Sequence, residues 1–159
     1  MFEPGDIVYG FVPKIGKPKY AISIYRDEDL NILLYFTTSK DRAGVAPDLI
    51  QHGPIFRQGE CISFVFEAHH EIGVAPSSGD RFSFPKRTAM VFDYGLLKAD
   101  ERHLNSMFVA PKVVCKLDGE EYINLVYAMY RSRKTPQEHK PYLEKVLKGF
   151  YEAKTRSQV

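Results

Sequence analysis

Short runs of alternating apolar and polar residues fill the first two thirds of the chain, with glycine and proline concentrated between them. Such runs predict short strands joined by turns. The runs expected to form strands are residues 7–12, 20–25, 31–37, 61–66, 82–84 and 89–92. Short antiparallel strands of this kind are typical of a small curled barrel, and the pattern alone leaves an SH3-like and an OB-like barrel both open.

The apolar period changes from two to about 3.6 after residue 118, which predicts helices near the C-terminus. Asp118, followed by Glu121 three positions later, has the form of a capping box. Two apolar faces follow at helical spacing, formed by Tyr122, Leu125, Val126 and Met129 and by Leu143, Val146, Leu147 and Phe150. We therefore predict one mainly-β domain over residues 1–153 with short C-terminal helices, and a polar tail at residues 154–159.

Composition indicates an ordinary globular chain. Of its 159 residues 44% are hydrophobic and 13% aromatic, enough to build a core and to exclude an extensively disordered protein. The formal charge of +2 does not by itself indicate a nucleic-acid binder. The chain has no apolar run of about 20 residues and does not begin like a secretory signal. We expect a cytoplasmic protein without a membrane partner.

Reactive side chains give few signals. Cys61 and Cys115 each lie in an apolar run, which favours two buried thiols over a disulfide, and they lack CxxC spacing. His69, His70 and Glu71 invite a metal, but adjacent side chains on a strand point to opposite faces, so a solvated strand end is favoured. The motifs GxSxG, GxGxxG and GxxxxGK[ST] are absent. No metal or cofactor is expected.

A cluster of cations and hydroxyls is more informative. Three lysines precede or open the second predicted strand, three hydroxylic residues end the third, and two cations follow. The members are Lys14, Lys17, Lys19, Thr37, Thr38, Ser39, Lys40 and Arg42. In a three-stranded meander both places lie at the same end of the sheet, which would suit a phosphate. On the residues alone, lysines in a solvated turn remain the favoured interpretation, with the phosphate site as the alternative.

Several segments resemble the PemK/MazF-like toxin family. Residues 4–8 read Pro-Gly-Asp-Ile-Val, residues 17–22 read Lys-Pro-Lys-Tyr-Ala-Ile, and residues 34–39 read Leu-Tyr-Phe-Thr-Thr-Ser, which is similar to the family's opening strands. Residues 84–90, Phe-Pro-Lys-Arg-Thr-Ala-Met, resemble a segment of a divergent branch. The residues Lys17-Pro18-Lys19 stand where the family usually has an Arg-Pro pair.

The resemblance implies an SH3-like barrel that forms a homodimer and pairs with an antitoxin peptide or protein. It also implies a metal-independent endoribonuclease that cleaves single-stranded RNA through the RNA's own 2′-hydroxyl. Lys19, Thr38 and Ser39 are then the expected catalytic residues, the last two holding the scissile phosphate. The expected RNA-binding residues are Lys14, Lys17, Lys40, Arg42 and Arg87. The alternative is a non-catalytic SH3-like module that binds RNA or a protein partner.

Overall fold

A computed structural model describes residues 1–28, 31–38 and 50–157. In this part of the chain short strands precede most of the helical structure. The elements, in chain order, are β1 (Asp6–Val12), β2 (Lys17–Arg26), β3 (Asn31–Phe36), β4 (Gly53–Arg57), β5 (Glu60–Phe66), β6 (Gly73–Val74), β7 (Arg81–Phe82), β8 (Thr88–Val91), β9 (Leu96–Asp100), α1 (Glu101–Met107), β10 (Val109–Leu117), α2 (Gly119–Arg131), a 3-10 turn (Gln137–His139) and α3 (Lys140–Ser157). The mainly-β prediction is confirmed.

The strands form two antiparallel sheets. The larger sheet has the order β7-β6-β10-β1-β2-β3-β9, and the smaller has the order β4-β5-β8. A bridge between Thr38 and Ala89 joins the end of β3 to β8, with backbone N···O distances of 2.9 and 2.8 Å. In the described ranges these sheets do not close into a barrel.

Both faces of the larger sheet are covered, and the alternation along its strands separates two cores. On one face Ile22, Ile24 and Tyr35 pack with residues of the smaller sheet and of α2 and α3. On the other face Ala21 and Leu34 belong to a smaller cluster that also contains Phe2, Leu104 and Phe108. The apolar residues on successive positions of β2 are therefore buried alternately on opposite sides.

Helix α2 begins after Asp118, as predicted, and buries Leu125, Val126 and Met129. However, the Asp118 side chain makes no capping hydrogen bond. Its carboxylate instead accepts hydrogen bonds from the Arg81 guanidinium, with Nη1···Oδ1 at 3.0 Å. The guanidinium lowers the pKa of Asp118 because it stabilises the ionised carboxylate. The capping-box sequence thus marks the start of the helix without the predicted side-chain bond.

Helix α3 is longer than the sequence pattern predicts. Leu143 and Leu147 are buried, as expected for its apolar face, but the helix continues through Ser157. Residues 154–157, which we predict as part of a polar tail, are helical and exposed. This last turn needs no burial, because its lysine and arginine have good helix propensity and sit favourably at the C-terminal end of the helix dipole. None of the helices among the described residues combines the length and apolar character needed to cross a bilayer.

Candidate nucleic-acid interface

The β1–β2 hairpin places two of the predicted lysines on one side of β2. Lys17 pairs with Val12 and Lys19 pairs with Gly10, so the two lysines lie two residues apart on the same strand. Residues two apart on a strand share a face of the sheet. Lys14 lies in the exposed turn of the hairpin, before β2 begins. The strand thus presents Lys17 and Lys19 together.

These lysines border a cleft of about 340 Å³, which we call the lysine cleft. Its lining combines cations, hydroxyl groups, prolines and two tyrosines. The lining residues are Tyr9, Lys17, Pro18, Lys19, Tyr20, Thr37, Pro85, Lys86 and Thr88. Lys86 was not among the predicted site residues, although it belongs to the segment quoted for the family resemblance. Its proximity to β2 depends on the packing of residues distant in sequence, which no local spacing reveals.

The end of β3 meets the start of β2 at this cleft. Lys19 Nζ donates to the backbone oxygen of Thr37 at 3.3 Å. The Thr37 hydroxyl in turn donates to the backbone oxygen of Tyr20 at 3.2 Å. These contacts hold the Lys19 ammonium beside the hydroxylic end of β3, as the meander geometry predicts.

Not all of the predicted hydroxylic and basic residues line the cleft. Thr37, Thr38 and Thr88 are all buried, at 4%, 8% and 5% exposure, and of the three Thr37 and Thr88 line the cleft. Ser39, Lys40 and Arg42 lie outside the described residues. The cleft therefore contains Lys17, Lys19 and Thr37 from the predicted cluster, and adds Lys86 and Thr88.

Arg87 follows Lys86 but makes a specific ion pair. Its guanidinium binds the carboxylate of Glu67, with Nη2···Oε2 at 3.1 Å and a shorter contact from Nε to Oε1. Arg87 lowers the pKa of Glu67, chiefly by donating hydrogen bonds to the ionised carboxylate. Any anion that binds Arg87 competes with this carboxylate.

Aromatic rings form the wall of the lysine cleft. The Tyr9 and Tyr20 rings lie 4.5 Å apart at 43°, and Tyr20 meets the edge of the buried Phe84 ring at 5.0 Å. Burial, and next the neighbouring Tyr9, raises the pKa of Tyr20, so its phenol stays protonated at neutral pH. Lysines that pair with phosphates and tyrosines that stack on bases are the combination used to bind single-stranded nucleic acid.

A second cluster lies near α2 and was missed by sequence reasoning. His52 Nε2 lies 2.9 and 3.0 Å from the two carboxylate oxygens of Glu121, and His52 Nδ1 accepts the backbone N–H of Glu67 at 3.2 Å. The His70 ring stacks on His52 with centroids 3.8 Å apart and an interplanar angle of 12°. His69 is exposed, as His70 is, but lies outside the cluster, so the His69-His70-Glu71 run contributes only His70 to it.

Glu121 and His52 also line a groove of about 460 Å³ between α2 and the β4–β5 hairpin. Cys61 lies at this groove but is 6% exposed, and burial raises the pKa of its thiol. Cys115 is fully buried, and burial raises its pKa to about 12. Both are free thiols, as predicted, and neither is set up as a nucleophile at neutral pH.

The structure thus has a mainly-β fold with a lysine-rich, aromatic cleft on one side and a histidine–glutamate cluster on another. Searches with this chain against protein-family models, curated proteins and solved structures find no match.

Proposed function

We propose that the chain binds single-stranded RNA in the lysine cleft and cleaves it as a metal-independent endoribonuclease. The observation that supports this most is the grouping of Lys17, Lys19 and Lys86 around Tyr9 and Tyr20. Three ammonium groups can meet successive phosphates, while the rings offer stacking surfaces to bases regardless of sequence. The resemblance to PemK/MazF-like toxins adds the reaction type.

In this reaction the RNA's 2′-oxygen attacks the adjacent phosphorus and the bond to the 5′-oxygen breaks. The products are a 2′,3′-cyclic phosphate and a 5′-hydroxyl, so the proton lost from the 2′-hydroxyl is balanced by one gained at the leaving oxygen. The protein's part is to stabilise the charge that builds up on the phosphate and to position proton donors. Lys19, held beside Thr37, is suited to charge stabilisation because its ammonium can approach a phosphate oxygen at the cleft.

The proposal includes the family features that go with this activity. They are an SH3-like barrel arrangement, a homodimer, a cytoplasmic location and an antitoxin peptide or protein that occupies the RNA-binding surface. The resemblance also assigns Ser39 to the catalytic residues and Lys40 and Arg42 to the RNA-binding residues. An antitoxin with acidic residues would compete with RNA for the same lysines.

A non-catalytic module that binds RNA is the second candidate. Two observations favour it: Thr38 does not line the cleft, and Lys17 stands in place of the family's arginine. A lysine is a point charge, whereas an arginine offers a planar fork that binds two phosphate oxygens at once. The two candidates share the binding surface and differ only in whether the strand is cut.

The test is incubation of the purified chain with an end-labelled single-stranded RNA of mixed sequence, with and without EDTA. We expect cleavage that survives EDTA and leaves a 2′,3′-cyclic phosphate or the 3′-phosphate formed by its hydrolysis. Thr38→Ala should slow cleavage roughly ten- to a hundredfold, equivalent to about 1–3 kcal/mol. Lys19→Ala should reduce both binding and turnover.

Two matched variants sharpen this test. Lys17→Arg creates the Arg-Pro pair of the family and should increase cleavage, because a bidentate cation then faces the phosphate. Lys154→Ala removes an exposed lysine at the end of α3 and should change nothing. RNA that is bound but never cut, even by Lys17→Arg, would replace the enzyme with the binding module. RNA that is neither bound nor cut would rule out both.

A further inference from the structure

Three side chains that commonly bind metals converge from distant parts of the chain. His52 immediately precedes β4, His70 lies in the turn after β5, and Glu121 is in the first turn of α2. Their ligand atoms all lie within 4.8 Å of one another, the one such group of three in the described residues. The cluster is separate from the lysine cleft and takes no part in the proposed RNA chemistry.

The spacing of these atoms suits a small tetrahedral ion. Bonds of about 2.0–2.1 Å and tetrahedral angles place neighbouring ligand atoms about 3.4 Å apart. Here Glu121 Oε1 lies 2.9 Å from His52 Nε2 and 3.7 Å from His70 Nε2. Both separations are within about 0.5 Å of that tetrahedral spacing, and all the ligand atoms lie within 4.8 Å of one another, so a rotation of His70 can bring them around one ion.

The donor set points to zinc among the common metals. Two imidazole nitrogens and one carboxylate oxygen are ligands that Zn²⁺ prefers, whereas Mg²⁺ and Ca²⁺ favour oxygen ligands. A His₂Glu set leaves a fourth position for water, as in zinc sites that do chemistry. Glu121 and His52 face a groove of about 460 Å³, which has room for that water and for a small ligand.

Metal binding requires two local changes that the structure identifies. First, the two rings are stacked, with centroids 3.8 Å apart and planes at 12°, so one ion cannot lie in the plane of both rings. His70, whose side chain is 47% exposed, can turn out of the stack, whereas the 17% exposed His52 is held by its neighbours. Movement of His70 therefore completes the site.

Second, the proton on the His52 ring must move. Since Nδ1 accepts the Glu67 N–H, Nε2 carries the proton and donates to Glu121. A metal takes the lone pair of Nε2, so the proton passes to Nδ1 and the 3.2 Å bond to the Glu67 amide is lost. Zinc binding therefore replaces two hydrogen bonds of His52, the one from the Glu67 amide to Nδ1 and the one from Nε2–H to Glu121, and it sets the new Nδ1–H against the Glu67 N–H.

We propose that His52 Nε2, His70 Nε2 and a carboxylate oxygen of Glu121 bind one Zn²⁺ ion at the edge of the α2 groove. The ion's double charge is met by one carboxylate and two neutral imidazoles. It links the residue before β4, the turn after β5 and the first turn of α2.

The experiment measures metal binding by the full chain after treatment with a chelator and removal of that chelator. Titration with Zn²⁺ by calorimetry should give one site per chain and raise the thermal unfolding midpoint. Co²⁺, used as a coloured substitute, should give the intense visible absorption of a tetrahedral site. Because no thiolate takes part, the sulfur-to-cobalt charge-transfer band should be missing.

Three variants identify the ligands. Loss of a residue that only supports a metal ligand costs about 10–100-fold in affinity, so His70→Ala and Glu121→Gln should each weaken Zn²⁺ binding at least tenfold. His69→Ala is the matched control, because it removes the exposed neighbouring histidine that lies outside the cluster, and it should bind like wild type. Since His70 is exposed, its variant is not expected to unfold, which circular dichroism checks.

Three results would each overturn the proposal. They are a wild-type chain that does not bind Zn²⁺ stoichiometrically, a His70→Ala chain that binds as tightly as wild type, and an equal loss in His69→Ala. A cobalt spectrum with a thiolate band would assign the metal to a cysteine instead.

Discussion

The contribution of Lys86 to RNA binding gives a quantitative test of the lysine cleft. If Lys17, Lys19 and Lys86 each neutralise one phosphate, binding releases counterions from three positions. For single strands the slope of log K against log[salt] is about −0.7 per neutralised phosphate. The three lysines together then give a slope of about −2.1, and Lys86→Ala reduces its magnitude to about 1.4.

The difference is large enough to measure. Between about 50 and 200 mM salt, three such contacts lower the affinity about 18-fold and two contacts lower it about sevenfold. Fluorescence anisotropy with a labelled single-stranded RNA, measured across that range, gives both slopes. Any further cation that contacts RNA adds equally to both proteins, so the difference of about 0.7 depends on Lys86 alone.

Two comparisons decide this prediction. Lys154→Ala, on the exposed end of α3, should keep the wild-type slope. Lys19→Ala should reduce the slope by the same amount as Lys86→Ala, because both line one cleft. The three-lysine interface would be refuted if Lys86→Ala left the salt slope unchanged while Lys19→Ala reduced it. That result would mean that the RNA contacts the lysines of the β1–β2 hairpin and not Lys86.

Two further predictions concern stability. In Gly73→Ala the new Cβ would lie 2.1 Å from the Lys116 backbone oxygen and 2.6 Å from Cys115 Sγ, so we expect the free energy of unfolding in urea to fall by about 1–3 kcal/mol. In Gly149→Ala, within α3, the new Cβ meets nothing within 4 Å, so the free energy of unfolding should rise by about 0.5–1 kcal/mol. Equal effects of the two substitutions would contradict this account. Glu101 accepts a hydrogen bond from Arg26 Nη2 at 3.0 Å, and this bond lowers the pKa of Glu101. The pair therefore stabilises the fold at pH values above the ordinary glutamate pKa. This stabilisation is lost as the pH falls through the lower pKa of the folded state. Glu101→Gln should therefore unfold at a lower temperature than wild type at pH 7, and its unfolding temperature should fall less between about pH 5 and pH 3. Thermal melts at a series of pH values measure both effects. Parallel curves of unfolding temperature against pH would refute the role of this pair.

The local parts of the fold were predictable because their signals lie within short segments. Alternation placed β1, β2 and β3 close to their observed bounds, and the helical spacing after Asp118 predicted α2. The pairing of β1 with β10 was not predictable, because it joins residues such as Ile7 and Cys115 that are more than a hundred positions apart. Both faces of β2 are buried in its central part. The alternating residues of this segment therefore indicated a strand, but they did not indicate that the strand lies in the middle of the sheet.

The candidate sites divide in the same way. The approach of Lys19 to Thr37 follows from a local meander, and the sequence predicted it. Lys86 lies two residues after Phe84, whose ring packs against Tyr20 of β2, and this contact joins segments that are distant in sequence. His52 and Glu121 are 69 positions apart, and no spacing motif connects residues that meet through the packing of α2 on β4 and β5.

Glu67 contacts residues of both proposed sites. Its carboxylate binds Arg87, which follows Lys86 of the lysine cleft, while its backbone amide donates to His52. The tautomer change that zinc requires breaks the hydrogen bond from the Glu67 backbone N–H to His52. It leaves the ion pair between the Glu67 carboxylate and Arg87 in place. Arg87, and with it the backbone that carries Lys86, therefore keeps its anchor whether or not the metal is bound. The expected EDTA-resistant cleavage and the proposed zinc binding are therefore compatible, because His52, His70 and Glu121 are not among the residues that line the lysine cleft.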